Sequence, residues 1–290
     1  MQINLNLLIA LGLCLLPVVL AVLIIFRKRT EHRAFNYAPF KELQRRPAGE
    51  ALRIKLEALE EKLTEQTYGL VMFPSLLTVV LLVSHPKDAT LPIFFFVISA
   101  SSSAYFGMQI YSLVRMRANY RLGYEGERLV GEELSRLILL GFEIYHDVPF
   151  DGFNIDHVLV GPRGVFVVET KTRRKPLNQD GKKEYRVQFD GKSLLWPNWK
   201  PDSYGIDQAK NNAKTLAAWL GKTTGENVWA TAILTLPGWM VDLKVPCDSF
   251  YVLNPKQIFQ VCAAQPEKIL EPQVRRICHQ LDQKCRIEVR

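Results

Sequence analysis

The chain has 290 residues and a net charge of +8, and 48% of its residues are hydrophobic. This length suits one good-sized globular domain and a smaller region. Its five cysteines form no C-x-x-C pair and no Cys/His cluster with zinc spacing, which argues against a zinc site or a disulfide framework. The sequence also lacks a Walker loop, G-x-S-x-G, H-E-x-x-H and G-x-G-x-x-G. Because the cysteines show neither pattern, we expect them to be free thiols in a reducing compartment.

Three long apolar runs lie within the first 121 residues and predict a three-helix transmembrane region. The runs cover about 5–26, 67–84 and 91–114, each close to the length that crosses a bilayer. No basic residue precedes the first run and no cleavage site follows it, so we expect an uncleaved span rather than a signal peptide. A buried soluble hairpin is the alternative for the second and third runs.

Basic residues between the spans predict the orientation of the chain. Ten Lys and Arg lie between Arg27 and Lys62, whereas the connection at 85–90 contains only Lys87. The positive-inside rule then places the N-terminus outside and the C-terminal domain in the cytosol, in our expectation at a bacterial plasma membrane. Residues 47–66 have the apolar spacing of an amphipathic helix. This helix either lies on the membrane or forms a homo-oligomer, or it packs on the body of the protein.

Residues 122–290 have the composition of a globular domain with a net charge of only +2. The pattern predicts a helix ending at Gly141, several strands, and then further helices. This order is typical of an α/β fold with helices on both faces of a mixed sheet. The predicted strands are 142–148, 155–160, 165–170, 185–189, 193–196, 228–236 and 250–253, and the predicted helices are 123–140, 207–220, 255–263 and 271–284.

The predicted strands at 155–160 and 165–170 are joined by a Gly-Pro-Arg-Gly turn. An antiparallel hairpin closed by Val160 opposite Val165 places Asp156 opposite Glu169, on one face of the sheet. Lys171 lies two residues further and points to the same face. Opposed carboxylates are unfavourable without a cation between them. The pattern therefore favours a divalent ion, and Mg²⁺ or Mn²⁺ suits two carboxylates with a substrate phosphate.

This order of residues resembles the PD-(D/E)xK nuclease superfamily, and more closely the nuclease-related domain (NERD) family. The likeness is carried by Gly123–Glu127, Asp156, Glu169-Thr170-Lys171 and a helix that begins with Asp207-Gln208-Ala209-Lys210-Asn211-Asn212. It covers residues 123–236. The resemblance implies a restriction-endonuclease-like α/β fold and a metal-dependent nuclease that acts on nucleic acid, DNA before RNA.

The resemblance also implies roles for single residues. Asp156, Glu169 and Glu127 would be metal ligands, Glu125 being the rival of Glu127. Lys171 would orient or deprotonate the attacking water, and Gln208 would position water or substrate. A second reading remains open, in which the domain is a non-catalytic nucleic-acid tether or a protein-interaction scaffold at the membrane.

A basic cluster follows the proposed site and is either a solvated loop or a phosphate-binding surface. Trp196 and Trp199 are candidates for base stacking, although packing is the commoner role of tryptophan. The predicted nucleic-acid-binding residues are Arg173, Arg174, Lys175, Lys182 and Lys183.

Overall fold

The computed structural model describes residues 45–84, 86, 88–176, 184–246 and 249–285. These residues form two compact units, one of residues 59–115 and one of residues 45–58 and 116–285. The predicted span at 5–26 and the predicted phosphate-binding residues Lys182 and Lys183 lie outside the described part of the chain.

Two long helices precede the sheet. Helix α1 (Glu50–Ser84) runs without a break through the predicted amphipathic helix and the second predicted span. Helix α2 (Thr90–Leu134) likewise joins the third predicted span to the predicted first helix of the soluble domain. Both are long and apolar enough to cross a membrane, by length and composition alone. Within residues 59–115, Gly69 lies against the ring of Phe106, because only a residue without a side chain fits there.

Helix α2 continues as a short 3₁₀ turn, Ser135–Leu140, which ends at Gly141. Gly141 has a φ of 77°, the left-handed conformation that glycine adopts without steric cost. Its N–H donates to the carbonyl oxygen of Ile138 at 3.0 Å. The predicted helix stop at this glycine is confirmed.

A five-stranded mixed sheet forms the centre of the second unit, with the strand order β1-β2-β3-β6-β8. Strands β1, β2 and β3 are antiparallel neighbours, whereas β3, β6 and β8 are parallel neighbours. A small second sheet has the order β5-β4-β7, of which β7 was not predicted. The strands are β1 (Glu143–Phe150), β2 (Phe153–Gly161), β3 (Gly164–Thr170), β4 (Arg186–Phe189), β5 (Leu194–Leu195), β6 (Ala230–Thr235), β7 (Met240–Leu243) and β8 (Phe250–Leu253).

Helices cover both faces of the larger sheet. They are α3 (Tyr204–Thr224), α4 (Ile258–Ala263) and α5 (Glu271–Lys284). Val158 and Val167 pack with residues of α3 and α5, whereas Leu159 and Phe166 pack with the end of α2 and with α4. This alternation follows from the pleat, which sends successive side chains to opposite faces. The predicted fold class, a mixed α/β sheet flanked by helices, is confirmed.

Candidate functional site

Strands β2 and β3 pair in the predicted register. Val160 lies opposite Val165, and the ladder continues to His157 opposite Val168. The next pair in this register is Asp156 with Glu169, so both carboxylates belong to one face at the open end of the hairpin. Val158 and Val167 precede them on that face, which α3 covers.

The two carboxylates have different partners. Glu169 is buried, and its Oε2 accepts a hydrogen bond from Asn212 Nδ2 at 3.0 Å. Its Oε1 lies 3.3 Å from Lys171 Nζ. Asp156 Oδ2 accepts from the backbone N–H of Thr170 at 2.8 Å. The Asp156 carboxylate is therefore held by the backbone of the neighbouring strand, and Glu169 by two side chains.

Lys171 lies between the acids and helix α3. Its Nζ donates to Gln208 Oε1 at 2.8 Å, and its side chain remains 32% exposed. Gln208 and Asn212 are four residues apart in α3 and thus share one face of the helix. Together they contact the ammonium group and the buried carboxylate. The sequence analysis singled out Gln208 and missed Asn212, although the same helical spacing identifies it.

The two glutamates early in the predicted first helix occupy different environments. Glu125 is exposed and pairs with Arg121 at 2.8 Å. Glu127 is half-buried, and the charges of Asp156 and Glu169 both act on it. Positions two apart on a helix differ by about 200° in direction, so only one of the pair can turn toward the carboxylates, and the charges that act on Glu127 favour that residue.

Burial and neighbouring negative charges raise the pKa of all three carboxyl groups. Burial is the largest cause for each. The neighbouring charge of Asp156 raises the pKa of Glu127 and of Glu169 further, whereas Lys171 lowers the pKa of each acid. For Asp156, the hydrogen bond from the Thr170 N–H lowers the pKa more than the charge of Lys171 does. The three acids therefore form a set that a nearby positive charge would stabilise.

A fourth acid, Asp147 in β1, was not predicted. It lies at the position opposite Asp156 in the β1–β2 register, is buried, and has a φ of 52°. Its side chain accepts from Asn154 Nδ2 at 2.7 Å and from the backbone N–H of Ala51 near the start of α1. Its charge contributes to the raised pKa of Glu127 and Asp156. Counting back from the turn between Phe150 and Phe153 finds this residue.

Two histidines, His146 of β1 and His157 of β2, lie opposite each other on the other face of the sheet. His157 is fully buried, and its Nδ1 lies 2.8 Å from His146 Nδ1. Its Nε2 lies 3.4 Å from Thr170 Oγ1. Burial lowers the pKa of both rings, that of His146 to about 4. Both rings are thus neutral near pH 7. His157 contacts Thr170, the residue whose backbone N–H donates to Asp156.

The described members of the predicted basic cluster make contacts within the chain. Arg174 donates to the carbonyl oxygen of Ala118 at 2.9 Å and to Asn119 Oδ1 at 3.0 Å. Arg173 pairs with Asp202 at 3.2 Å. Lys175 is half-buried. Arg174 therefore joins the end of β3 to α2, and Arg173 joins it to the loop before α3.

The residue types at the site fit a hard divalent cation. Mg²⁺ takes oxygen ligands and is often held by one or two carboxylates with waters and phosphate. Asp156 and Glu169 offer two such carboxylates. Across the described ranges, no three His, Cys, Asp or Glu side chains are grouped so that they could hold a metal ion. Glu127 adds a further negative charge beside Asp156 and Glu169.

The fold and the site define a mixed α/β domain in which two carboxylates and a lysine meet at the ends of adjacent strands. Residues 122–237 match the model of the nuclease-related domain family (NERD). This match covers less than half of the chain and supports the resemblance that Asp156 and Glu169-x-Lys171 indicated. It points to a nuclease-related function for the domain. Neither the curated proteins nor the solved structures gave a match.

Proposed function

We propose that this chain is a membrane-anchored, metal-dependent nuclease with a restriction-endonuclease-like domain. It hydrolyses phosphodiester bonds in nucleic acid, DNA before RNA, on the cytosolic side of the membrane. The observation that carries the proposal is the meeting of Asp156, Glu169 and Lys171 at the open end of one hairpin. Like charges in a buried place are unfavourable, and an ion-binding role accounts for their being there.

Each residue has a role in this proposal that follows from its contacts. Asp156 and Glu169 would hold Mg²⁺ or Mn²⁺, which when bound supplies Lewis-acid polarisation of the scissile phosphate. Lys171 lies 3.3 Å from Glu169 and retains exposed surface, so its ammonium reaches both the carboxylate and a phosphate oxygen. Gln208 holds that ammonium through its Oε1. The Thr170 N–H keeps Asp156 oriented without using a second side chain.

The test is a cleavage assay on plasmid and linear DNA with the purified full chain in detergent. We expect cleavage with Mg²⁺ or Mn²⁺ and none with EDTA. Asp156→Asn and Glu169→Gln each preserve shape and remove a charge, and both should abolish cleavage. The matched control is Glu267→Gln, an exposed member of an ion pair with Arg163 at the opposite end of the hairpin.

Loss of a surface pair such as Arg163–Glu267 costs about 0–1 kcal/mol, so the control variant should cleave like the unmodified chain. Cleavage that persists in both Asp156→Asn and Glu169→Gln would reject the assignment of the site. A contaminating nuclease would also cleave in the preparations of both variants. In that case a mock preparation without the chain would cleave with the same sensitivity to EDTA.

One observation favours a second candidate, a non-catalytic nucleic-acid tether or scaffold at the membrane. Both oxygens of Glu169 already have partners, Lys171 and Asn212. Salt-dependent binding of DNA with no cleavage under any divalent ion would select this candidate. Absence of binding at low salt would instead favour a protein-interaction role.

Membrane anchoring is a separate part of the proposal, supported by α1 and α2 and by the predicted span at 5–26. We expect the chain to remain in the membrane pellet after extraction at high pH, which removes peripheral proteins. Release into the supernatant would contradict the anchoring and leave the proposed chemistry untouched.

A further inference from the structure

An exposed aromatic ring lies beside the proposed catalytic lysine. Tyr204, the first residue of α3, is 69% exposed. The Nζ of Lys171 is 5.1 Å from the centre of its ring. A tyrosine placed for packing would bury its ring, whereas this ring presents most of its surface to solvent directly next to the ammonium.

A second exposed ring lies beside Arg173, the next basic residue along the chain. Trp199 is 42% exposed, and the guanidinium of Arg173 is 5.3 Å from the centre of that ring. The same guanidinium is 4.5 Å from the ring centre of Trp196, which is buried against Trp239. The two tryptophans of the loop thus differ: Trp196 belongs to the core, and Trp199 faces solvent.

The loop that carries these rings is held in one conformation. Asp202 pairs with Leu194 through two backbone hydrogen bonds, of 2.9 and 3.1 Å. Its side chain accepts from the Tyr204 N–H at 2.9 Å and from Arg173 at 3.2 Å. Asn198 has a φ of 63°, a conformation that asparagine tolerates and that turns the chain immediately before Trp199. Asp202 therefore ties Tyr204 to the segment that follows β3 and carries Lys171 and Arg173.

We propose that Tyr204 and Trp199 form a stacking platform for unpaired nucleobases, so that the substrate is single-stranded nucleic acid or an unpaired end. Every base has a π-face that stacks on an aromatic ring, and such contacts are tolerant of sequence. Lys171 and Arg173 supply positive charge beside each ring for the adjacent phosphates. In a duplex the faces of the bases are covered by their neighbours, so exposed rings of this kind gain little from paired DNA.

This inference rests on the proposed function, because it assigns the substrate of the same site. The test measures binding in the absence of cleavage. The full chain in detergent is titrated, with EDTA present, into a labelled oligothymidine, and binding is followed by fluorescence anisotropy. The oligothymidine is longer than the roughly 4–16 nucleotides of a typical single-strand site. An abasic oligonucleotide with the same number of phosphates reports the charge contribution alone. A blunt duplex of the same length reports paired bases.

We expect the oligothymidine to bind more tightly than the abasic strand and the duplex. Tyr204→Leu and Trp199→Leu should each weaken oligothymidine binding by about fivefold or more, since stacking contributes about 1–3 kcal/mol per base. Neither change should alter binding of the abasic strand. Tyr204→Phe keeps the ring and should retain the affinity. The matched control is Trp229→Leu. Trp229 is 77% exposed, but it immediately precedes β6 at the end of the sheet that lies away from Glu169 and Lys171.

Equal binding of the oligothymidine and the abasic strand would overturn the platform, and so would an equal loss in Trp229→Leu. A cleavage assay with Mg²⁺ then separates the two proposals. Cleavage together with base-independent binding rejects the platform and keeps the nuclease. Base-dependent binding without cleavage keeps the platform and rejects the nuclease.

Discussion

The hydrogen bond between Asn212 and Glu169 offers a test of the site that requires no substrate. Asn212 is buried in α3, and its Nδ2 donates to Glu169 Oε2 at 3.0 Å. Asn212→Leu keeps the volume and removes the donor. The neighbouring residue Asn211 is exposed, so Asn211→Leu makes the same chemical change, with the same gain in helix propensity, away from the carboxylates.

The expected loss follows from the burial and charge of Glu169. A hydrogen bond to a charged group contributes about 1.5–3 kcal/mol, and one between neutral groups about 0.5–1.5 kcal/mol. Burial, followed by the charge of Asp156, raises the pKa of Glu169 to about 8 from its ordinary 4.5. Asn212→Leu should therefore destabilise the domain by about 1 kcal/mol near pH 6, where Glu169 is mostly protonated, and by about 2 kcal/mol above pH 8.

The sign of this pH dependence is fixed by linkage. A carboxyl whose pKa is higher in the folded state binds more protons folded than unfolded, so stability falls as the pH rises from about 4.5 to about 8. Removing the Asn212 donor raises the pKa of Glu169 further, because donation to the carboxylate lowers it. The decline in stability should therefore be steeper in Asn212→Leu than in the unmodified chain.

The assay is thermal unfolding followed by tryptophan fluorescence at several pH values, without divalent ions. For a domain of 150–250 residues, 1 kcal/mol shifts the melting temperature by about 2–4 °C. We expect Asn212→Leu to melt about 4–8 °C lower above pH 8, with a smaller deficit near pH 6, and Asn211→Leu to change little. Equal shifts in the two variants, or a deficit that does not vary with pH, would refute the reasoning.

Three further predictions concern the site and the residues around it. Mg²⁺ should raise the melting temperature more at pH 8 than at pH 5.5, because protons compete with the ion for acids whose pKa is raised. Glu169→Gln should remove that difference between the two pH values. If Mg²⁺ still raises the melting temperature of Glu169→Gln more at pH 8, the ion binds elsewhere. Burial lowers the pKa of His146 to about 4, so its contribution to stability is present above pH 6.5 and is lost as the pH falls through 4. His146→Gln should therefore lose less stability than the unmodified chain over this pH range. An equal loss of stability in the two proteins would contradict the burial argument. Gly126→Ala should destabilise the domain by about 1–3 kcal/mol and slow cleavage, because an added Cβ would collide with Thr172 beside the site. Gly221→Ala is its control, since the space there is ordinary and alanine favours a helix by about 1 kcal/mol; equal melting temperatures for the two alanine variants would show that the contact is unimportant.

Local patterns were enough to predict the centre of the site. The turn after Val160 sets the register of the hairpin, and the period of two along a strand then places Asp156, Glu169 and Lys171 on one face. Gly141 was predicted to end a helix, and it does so in the left-handed conformation. Strand Phe250–Leu253 and helix Glu271–Lys284 have the predicted bounds. Turn chemistry and periodicity act over a few residues, which is why they can be followed along the sequence.

Other features depend on which surfaces meet and were not predicted. Asp147 has a positive φ that alternation along a strand does not indicate, and its partner Ala51 is almost a hundred residues away. Strand β7 pairs with β4 through contacts between segments remote in the chain. Trp196 and Trp199 lie three residues apart, and the first is buried against Trp239 and the core while the second is exposed.

Local patterns in the sequence suffice to predict the α/β class, the register of the central hairpin and the shared face of the acids and the lysine. These follow from steric preferences and side-chain directions that repeat every two residues in a strand and every 3.6 in a helix. Packing between elements brings Glu127 under the charges of Asp156 and Glu169. It also places the Asn212 donor beside Glu169, and the exposed ring of Tyr204 beside Lys171. Each of these is a relation between elements distant in the chain, and it arises only when packing brings their surfaces together.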